Sequence, residues 1–392
     1  MLLSLALMNL PLPEPEALAA SQKLLDHIID RIRRSENGDI SFAEFMDLAL
    51  YAPGLGYYQV GTQKFGRAGD FITAPELSPL FSKCLARQCQ QVLETYGGGD
   101  ILEIGAGSGQ MAADILNALS EWGSNLGAYT ILELSPDLKQ RQKAKIAEYC
   151  PKLLDKVQWL ETLPSSKFQG LILANEVLDA MPVHIFKVEN DLLFWKRVAE
   201  EQGKLIWREC PHSHTEILQL FPENRCIDPY TSEINLSLKA WITSIEKVLS
   251  AGLILLIDYG FPEREYYHPD RQMGTLMCHY RHLAHADPFL YPGLQDITAH
   301  VDFTGIASAG VDANLEVLGY TNQAQFLLNC GLLDFANLIP ENDFKAMVQR
   351  NQHINVLTSP AEMGELFKVI ALGKNCEIEL LGFKEGDQRY RL

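Results

Sequence analysis

From about residue 100 onward the apolar positions alternate between two rhythms. Short runs with little polar interruption, ILEI at 101–104, TILEL at 130–134, VQWL at 157–160 and GLILAN at 170–175, predict buried strands. Between them, QMAADILNALS at 110–120 and SPDLKQRQKAKIAEY at 135–149 carry helical spacing, and this alternation predicts a parallel α/β sheet with helices on both faces. Upstream, SQKLLDHIIDRIRR at 21–34 sets Leu24, Leu25, Ile28, Ile29 and Ile32 on one stripe. SFAEFMDLAL at 41–50 opens with Ser41 and Glu44 at capping-box spacing, so two amphipathic helices come first. Ser78-Pro79 then signals a helix running to about Tyr96.

After Pro182 the rhythm changes. HIFKVEN, DLLFWKRVAE and KLIWREC read as antiparallel strands with a turn at EEQGK, an inserted β-hairpin region. A helix near 234–249 leads into the apolar strand GLILLIDYG at 252–260, which returns to the sheet. A His-, Tyr- and Pro-rich excursion occupies 261–310, and LEVLGY, a helix around TNQAQFLLNCG and the strand FKVIALGK close the chain. The expected organisation is a tail at 1–20, an N-terminal helical and lid segment at 21–98, an α/β core at 99–182, an inserted β region at 183–233 and the rest of the core at 234–392.

Composition narrows this picture. With 392 residues and 47% hydrophobic content the chain can bury a large core, as one big domain with an insertion or two unequal domains. A formal charge of -17 disfavours nucleic acid and anionic membranes as partners. Eight scattered cysteines with no CxxC pair suggest a reducing, cytoplasmic setting and neither a zinc ribbon nor a disulfide framework. The start, MLLSLALMNLPLPEPEALAA, lacks both a basic n-region and the arginines of a transit peptide, and no run reaches the ~18 apolar residues of a membrane span.

Chemistry enters with ILEIGAGSGQ. Gly105, Gly107 and Gly109 follow a strand and open a helix, but Gln110 stands where a dinucleotide fingerprint needs its third glycine, which argues against NAD. Ligands of open α/β sheets bind at the carboxyl ends of strands. There the second strand ends in Glu133, a carboxylate able to accept two ribose hydroxyls, while Glu103 lies within the first strand, either reaching a ligand's amino group or solvated. The glycines themselves make either a tight strand-to-helix turn or a cradle.

ILEIGAGSG followed by ILELSP resembles motif I and the ribose-binding acid of class I S-adenosylmethionine-dependent methyltransferases. GDFITAPELSPLF (69–81), LANEVLDAMPVHIF (173–186), LLIDYG (255–260) and DITAHVDF (296–303) are similar to the MidA-like members, from about residue 21 to the C-terminus. The resemblance implies a Rossmann-like class I fold and S-adenosyl-L-methionine as cofactor. It implies as substrate an arginine of a partner protein, a subunit of respiratory complex I (NADH dehydrogenase) during its assembly. It also makes Asp70, Thr73 and Glu76 a lid over the cofactor.

A guanidinium acceptor is protonated in water, so an enzyme must orient one nitrogen and hold the charge on the others, work suited to carboxylates. Asn175, Glu176 and Asp179 after the strand LILA are the candidates, Glu176 and Asp179 sharing a side if the turn is helical; the alternative is an acidic cap on a helix. His300 and Asp302 in TAHVDF are further catalytic candidates, and Asp258 either faces the acceptor or caps a turn. His279, His282 and His285, three apart, lack the carboxylate or thiolate partner of a metal site, and Arg281 either fixes a carboxylate or makes a surface salt bridge. Trp195 and Trp207 mark either a docking place for a partner or ordinary packing. Two other functions stay open: a small-molecule O- or N-methyltransferase with a closed apolar pocket, and an assembly chaperone that binds the cofactor without transferring methyl groups.

Overall fold

The structure is a computed structural model that describes residues 10–59, 73–212, 228–338 and 344–392. The chain divides into two compact units, one of Met1–Phe71, Leu178–Ser237 and Glu263–Val301, the other of Ile72–Val177, Leu238–Pro262 and Asp302–Leu392.

The second unit holds the α/β sheet. Its strands β1 (Gly99–Ile104), β2 (Leu126–Leu132), β3 (Val157–Leu160), β4 (Phe168–Asn175), β5 (Leu249–Phe261), β6 (Glu316–Asn322) and β7 (Phe367–Lys374) lie in the order β3-β2-β1-β4-β5-β7-β6. From β3 to β5 every neighbour is parallel, whereas β7 runs antiparallel to both β5 and β6. Strands buried on both faces read as unbroken apolar runs, which is why LILLI of β5 and LILA of β4 carry no alternation. Strand order reverses between β1 and β4, the switch point where open α/β sheets bind ligands. Leu80, Leu85, Cys89 and Val92 of helix Pro79–Thr95 and Met111, Ile115 and Leu119 of helix Gln110–Glu121 fill the core of this unit. The Ser78 hydroxyl caps the first of these helices by accepting the N–H of Leu80 at 3.3 Å.

The first unit has a core of its own. Its helices Pro15–Arg34 and Phe42–Tyr51 bury Leu24, Ile28 and Ile32 and Phe42, Phe45 and Met46, and the Ser41 hydroxyl accepts the Glu44 N–H at 3.1 Å. The first helix thus begins at Pro15, inside the expected tail, because Pro is favourable in the first helical turn and the buried Leu24 anchors the helix to the core. The inserted strands His184–Glu189, Leu192–Glu201 and Lys204–His212 pair as expected, and two short strands distant in sequence, Asp39–Ser41 and Tyr230–Ile234, complete a five-stranded antiparallel sheet. Trp207 packs within this unit, 5.2 Å from Phe42 and 4.8 Å from Phe289 between ring centroids.

The excursion forms a three-stranded sheet of Met277–Tyr280, Leu283–His285 and Asp296–Thr298. Arg281 and His282, both at positive φ (49° and 63°), make its two-residue turn. His279 pairs with Ala284 and Cys278 with His285, so the strand period turns His279 and His285 to opposite faces. Among the described residues no group of three His, Cys, Asp or Glu can hold a metal. The Arg281 guanidinium lies 5.4 Å from the centroid of the Tyr280 ring.

Candidate functional site

Beyond the carboxyl ends of β1, β2 and β4 the second unit gathers the polar residues read from the sequence. Gly105, Gly107 and Gly109 all sit at positive φ (69°, 52° and 84°). Two of them also permit close approach: a Cβ on Gly105 would meet Val177 Cγ2 at 2.9 Å, and one on Gly109 would meet Gln142 Cα at 3.0 Å. The loop is therefore a tight strand-to-helix turn that leads from β1 into the helix Gln110–Glu121.

Glu133, 7% exposed, stands one residue past β2. Its Oε1 accepts the Ser135 N–H at 2.8 Å and its Oε2 accepts Gln142 Nε2 at 2.8 Å. A carboxylate only accepts, so a ribose diol would meet this group as donor. The neighbouring Leu134 is 60% exposed, an apolar surface beside a carboxylate, as a nucleoside needs. Ser135 caps the helix Pro136–Tyr149 through its hydroxyl, which accepts Leu138 N–H at 3.4 Å.

Glu103 is buried, and the Tyr129 hydroxyl donates to its Oε2 at 2.7 Å. Its Oε1 is buried with no hydrogen-bond partner among the described residues. Burial pushes the carboxyl up to about 7, the Tyr129 bond opposes that, and the Glu133 charge adds to it. The Ser108 hydroxyl of the glycine loop donates to Glu76, which extends from the short helix Ala74–Leu77. Thr73 precedes that helix without a side-chain capping bond, and Asp70 lies outside the described residues.

On the β4 side, Glu176 adopts φ 53°, a left-handed conformation rare outside glycine. Its N–H donates to the Ile257 carbonyl at 2.9 Å, and the next N–H, of Val177, donates to Asp258 Oδ2 at 3.2 Å. The chain thus turns left-handed at Glu176 instead of starting a helix, so the expected helical turn joining Glu176 to Asp179 does not form and neither does the acidic cap. The Asn175 amide donates to Glu176 Oε1 at 3.2 Å, and its Oδ1 is buried without a partner among the described residues. Asp258 is fully buried and also accepts the Tyr259 N–H at 2.9 Å, so it fastens the turn that carries Glu176.

The remaining candidates lie on other segments. Asp302 acts as an N-cap, accepting the Thr304 N–H at 3.0 Å. Asp179 and His300 belong to the other unit, where the Ala299 N–H donates to the Asp179 carbonyl at 3.0 Å and the His300 N–H to Thr275 Oγ1 at 3.0 Å. The sequence reading missed Gln142. Its signal was its place four residues from both Leu138 and Ile146, on the one buried stripe of a largely polar helix.

The strand ends thus present three positive-φ glycines at a switch point, a carboxylate just past the second strand, and a buried acid with one oxygen unpartnered among the described residues. The sequence profile of S-adenosyl-L-methionine-dependent methyltransferases matches residues 84–321. The chain belongs to this family. A Burkholderia thailandensis protein crystallised with S-adenosyl-homocysteine bound is 43% identical over 98% of this chain and 100% of its own, with a TM-score of 0.94. The mitochondrial protein arginine methyltransferase NDUFAF7 of Danio rerio is 28% identical over 90% of this chain and 87% of that protein. Its Caenorhabditis elegans homologue is 27% identical, over 92% and 89%. This methyltransferase accordingly has the class I fold and uses S-adenosyl-L-methionine. Its residues fit that cofactor: Glu133 offers acceptors to ribose hydroxyls, and the unpartnered Oε1 of Glu103 offers one to an ammonium.

Proposed function

We propose that this methyltransferase acts on an arginine side chain of a partner protein. The observation that carries the reading is Glu176, a carboxylate held left-handed at the carboxyl end of β4, the strand beside the glycine cradle of β1. When bound, the cofactor supplies an electrophilic methyl group on its sulfonium. The protein's part is to orient and desolvate. Glu133 and Glu103 hold the two polar ends of the donor, Glu76 braces the loop through Ser108, and Glu176 with Asn175 keeps the guanidinium charge on the nitrogens that do not react. The third nitrogen would then take the methyl group as the methyl's bond to the sulfonium sulfur breaks, S-adenosyl-homocysteine leaving as the neutral thioether and the Glu176 carboxylate accepting the proton that nitrogen gives up.

The names of the sequence relatives support arginine as acceptor. The motif resemblance to the MidA-like methyltransferases points to a subunit of respiratory complex I as partner. All seven described cysteines are free thiols, which fits a reducing compartment. The test is transfer from S-adenosyl-L-methionine labelled in the methyl group to purified complex I subunits, with the product hydrolysed and resolved by mass spectrometry. Methylarginine formed by wild type, and lost with Glu176→Gln, is the expected result. Label in a small molecule, or undiminished transfer by Glu176→Gln, would contradict the assignment.

A further inference from the structure

We infer that Gln142 is a positioning residue for the cofactor, fixing the ribose-binding carboxylate and the glycine loop with a single amide. The inference rests on Glu133 taking the ribose. Gln142 is fully buried in the helix Pro136–Tyr149, and its Nε2 donates both to Glu133 Oε2 at 2.8 Å and to the Gly107 carbonyl at 3.0 Å. On the other side its Oε1 accepts the Trp159 indole N–H at 3.1 Å.

Chemistry leaves this amide one orientation. A carboxylate and a carbonyl only accept, while an indole N–H only donates, so the reverse rotamer would set an oxygen against two acceptors and an NH2 against a donor. The helix backbone comes near enough for this because position 109 is glycine: a Cβ there would meet Gln142 Cα at 3.0 Å. Trp159 in β3 orients the amide, and the amide in turn orients Glu133 at the end of β2 and the loop after β1. Three strand ends are thereby held in register at the place where the nucleoside half of the donor must lie. With Ser135 N–H on Oε1 and Gln142 on Oε2, the Glu133 carboxylate cannot rotate, so its plane is preset for a vicinal diol.

The experiment is titration calorimetry of S-adenosyl-homocysteine against wild type, Glu133→Gln, Gln142→Leu, Gln142→Glu and the Glu133→Gln/Gln142→Leu double variant, with thermal melting of each. The expected results are at least a tenfold loss of affinity for Gln142→Leu in the wild-type background and little further loss when Glu133 is already glutamine. Gln142→Glu should bind poorly at pH 8, where two carboxylates repel, and recover toward pH 6, where a protonated Glu side chain donates to Glu133 again. A residue that only stabilised the helix would give neither the coupling nor that pH profile. Should Gln142→Leu fail to fold, Trp159→Phe removes the N–H that orients the amide and is expected to weaken binding several-fold. Equal losses for Gln142→Leu with and without Glu133, or a folded Gln142→Leu that binds within twofold of wild type, would overturn the inference. Full affinity in Glu133→Gln alone would instead overturn the ribose assignment.

Discussion

At Glu103 the fold buries a carboxyl, and burial opposes its charge. The group titrates at 4.5 in the absence of the fold and at about 7 within it. Between those values the folded chain binds more protons than the unfolded chain, so this group makes stability fall as pH rises through that window and level off above about 7. The raised value corresponds to roughly 3 kcal/mol of destabilisation at alkaline pH, since one pKa unit is about 1.4 kcal/mol. Glu103→Gln should therefore flatten the pH dependence of urea denaturation between pH 5 and 8, gain stability at pH 8, and lose affinity for S-adenosyl-homocysteine. An unchanged pH slope would contradict this placement of the charge. Glu176 shows a second residue held at a cost: replacing it with glycine relieves the left-handed backbone, worth about 1 kcal/mol, so the variant should melt higher while losing methyl transfer. A lower melting temperature would show that the Glu176 side chain contributes more to folding than its backbone strain removes.

At the scale of elements, the glycine loop is a packing joint as much as a ligand cradle. Gly109→Ala adds a Cβ at φ 84° and 3.0 Å from Gln142 Cα, so the helix Pro136–Tyr149 must move outward. Left-handed strain alone costs about 1–2 kcal/mol, and the shifted Gln142 should also weaken S-adenosyl-homocysteine binding, both measurable by melting and calorimetry. Wild-type affinity in the variant would mean that the helix position does not matter to the ligand. This joint also shows what the sequence made legible. The strand, three glycines, helix and acid stood in chain order, and apolar runs reported doubly buried strands, so β1, β2, β4 and β5 and the residues at their ends could be read directly. Gln142 was not read, although it stands midway between Leu138 and Ile146 on the helix's buried stripe, because a polar residue on such a stripe does not by itself show which groups it bonds. The strands Asp39–Ser41 and Tyr230–Ile234 escaped notice since each is short and pairs with segments far away in sequence. Glu176 was readable as a candidate but its backbone was not, since only the tertiary bonds to Ile257 and Asp258 hold it left-handed.

For the whole molecule, the charge of -17 bears on the acceptor more than on the donor. A protein segment carrying arginine is drawn to an acidic surface through water, and that attraction is screened beyond roughly 8 Å at physiological salt. Raising salt from about 50 to about 300 mM should raise the acceptor KM several-fold and change S-adenosyl-homocysteine affinity little, because the donor's contacts are short and buried. A salt-independent KM would point to an apolar docking mode. Among the described residues no helix is long and apolar enough to cross a membrane, and each of the two units carries a separate core. The most direct measurement is a crystal structure with S-adenosyl-homocysteine bound. It should show both ribose hydroxyls on the Glu133 carboxylate, the glycine loop against the amino-acid end, and the sulfur facing Asn175 and Glu176. A ribose bound away from Glu133, or a sulfur turned away from the end of β4, would contradict the account.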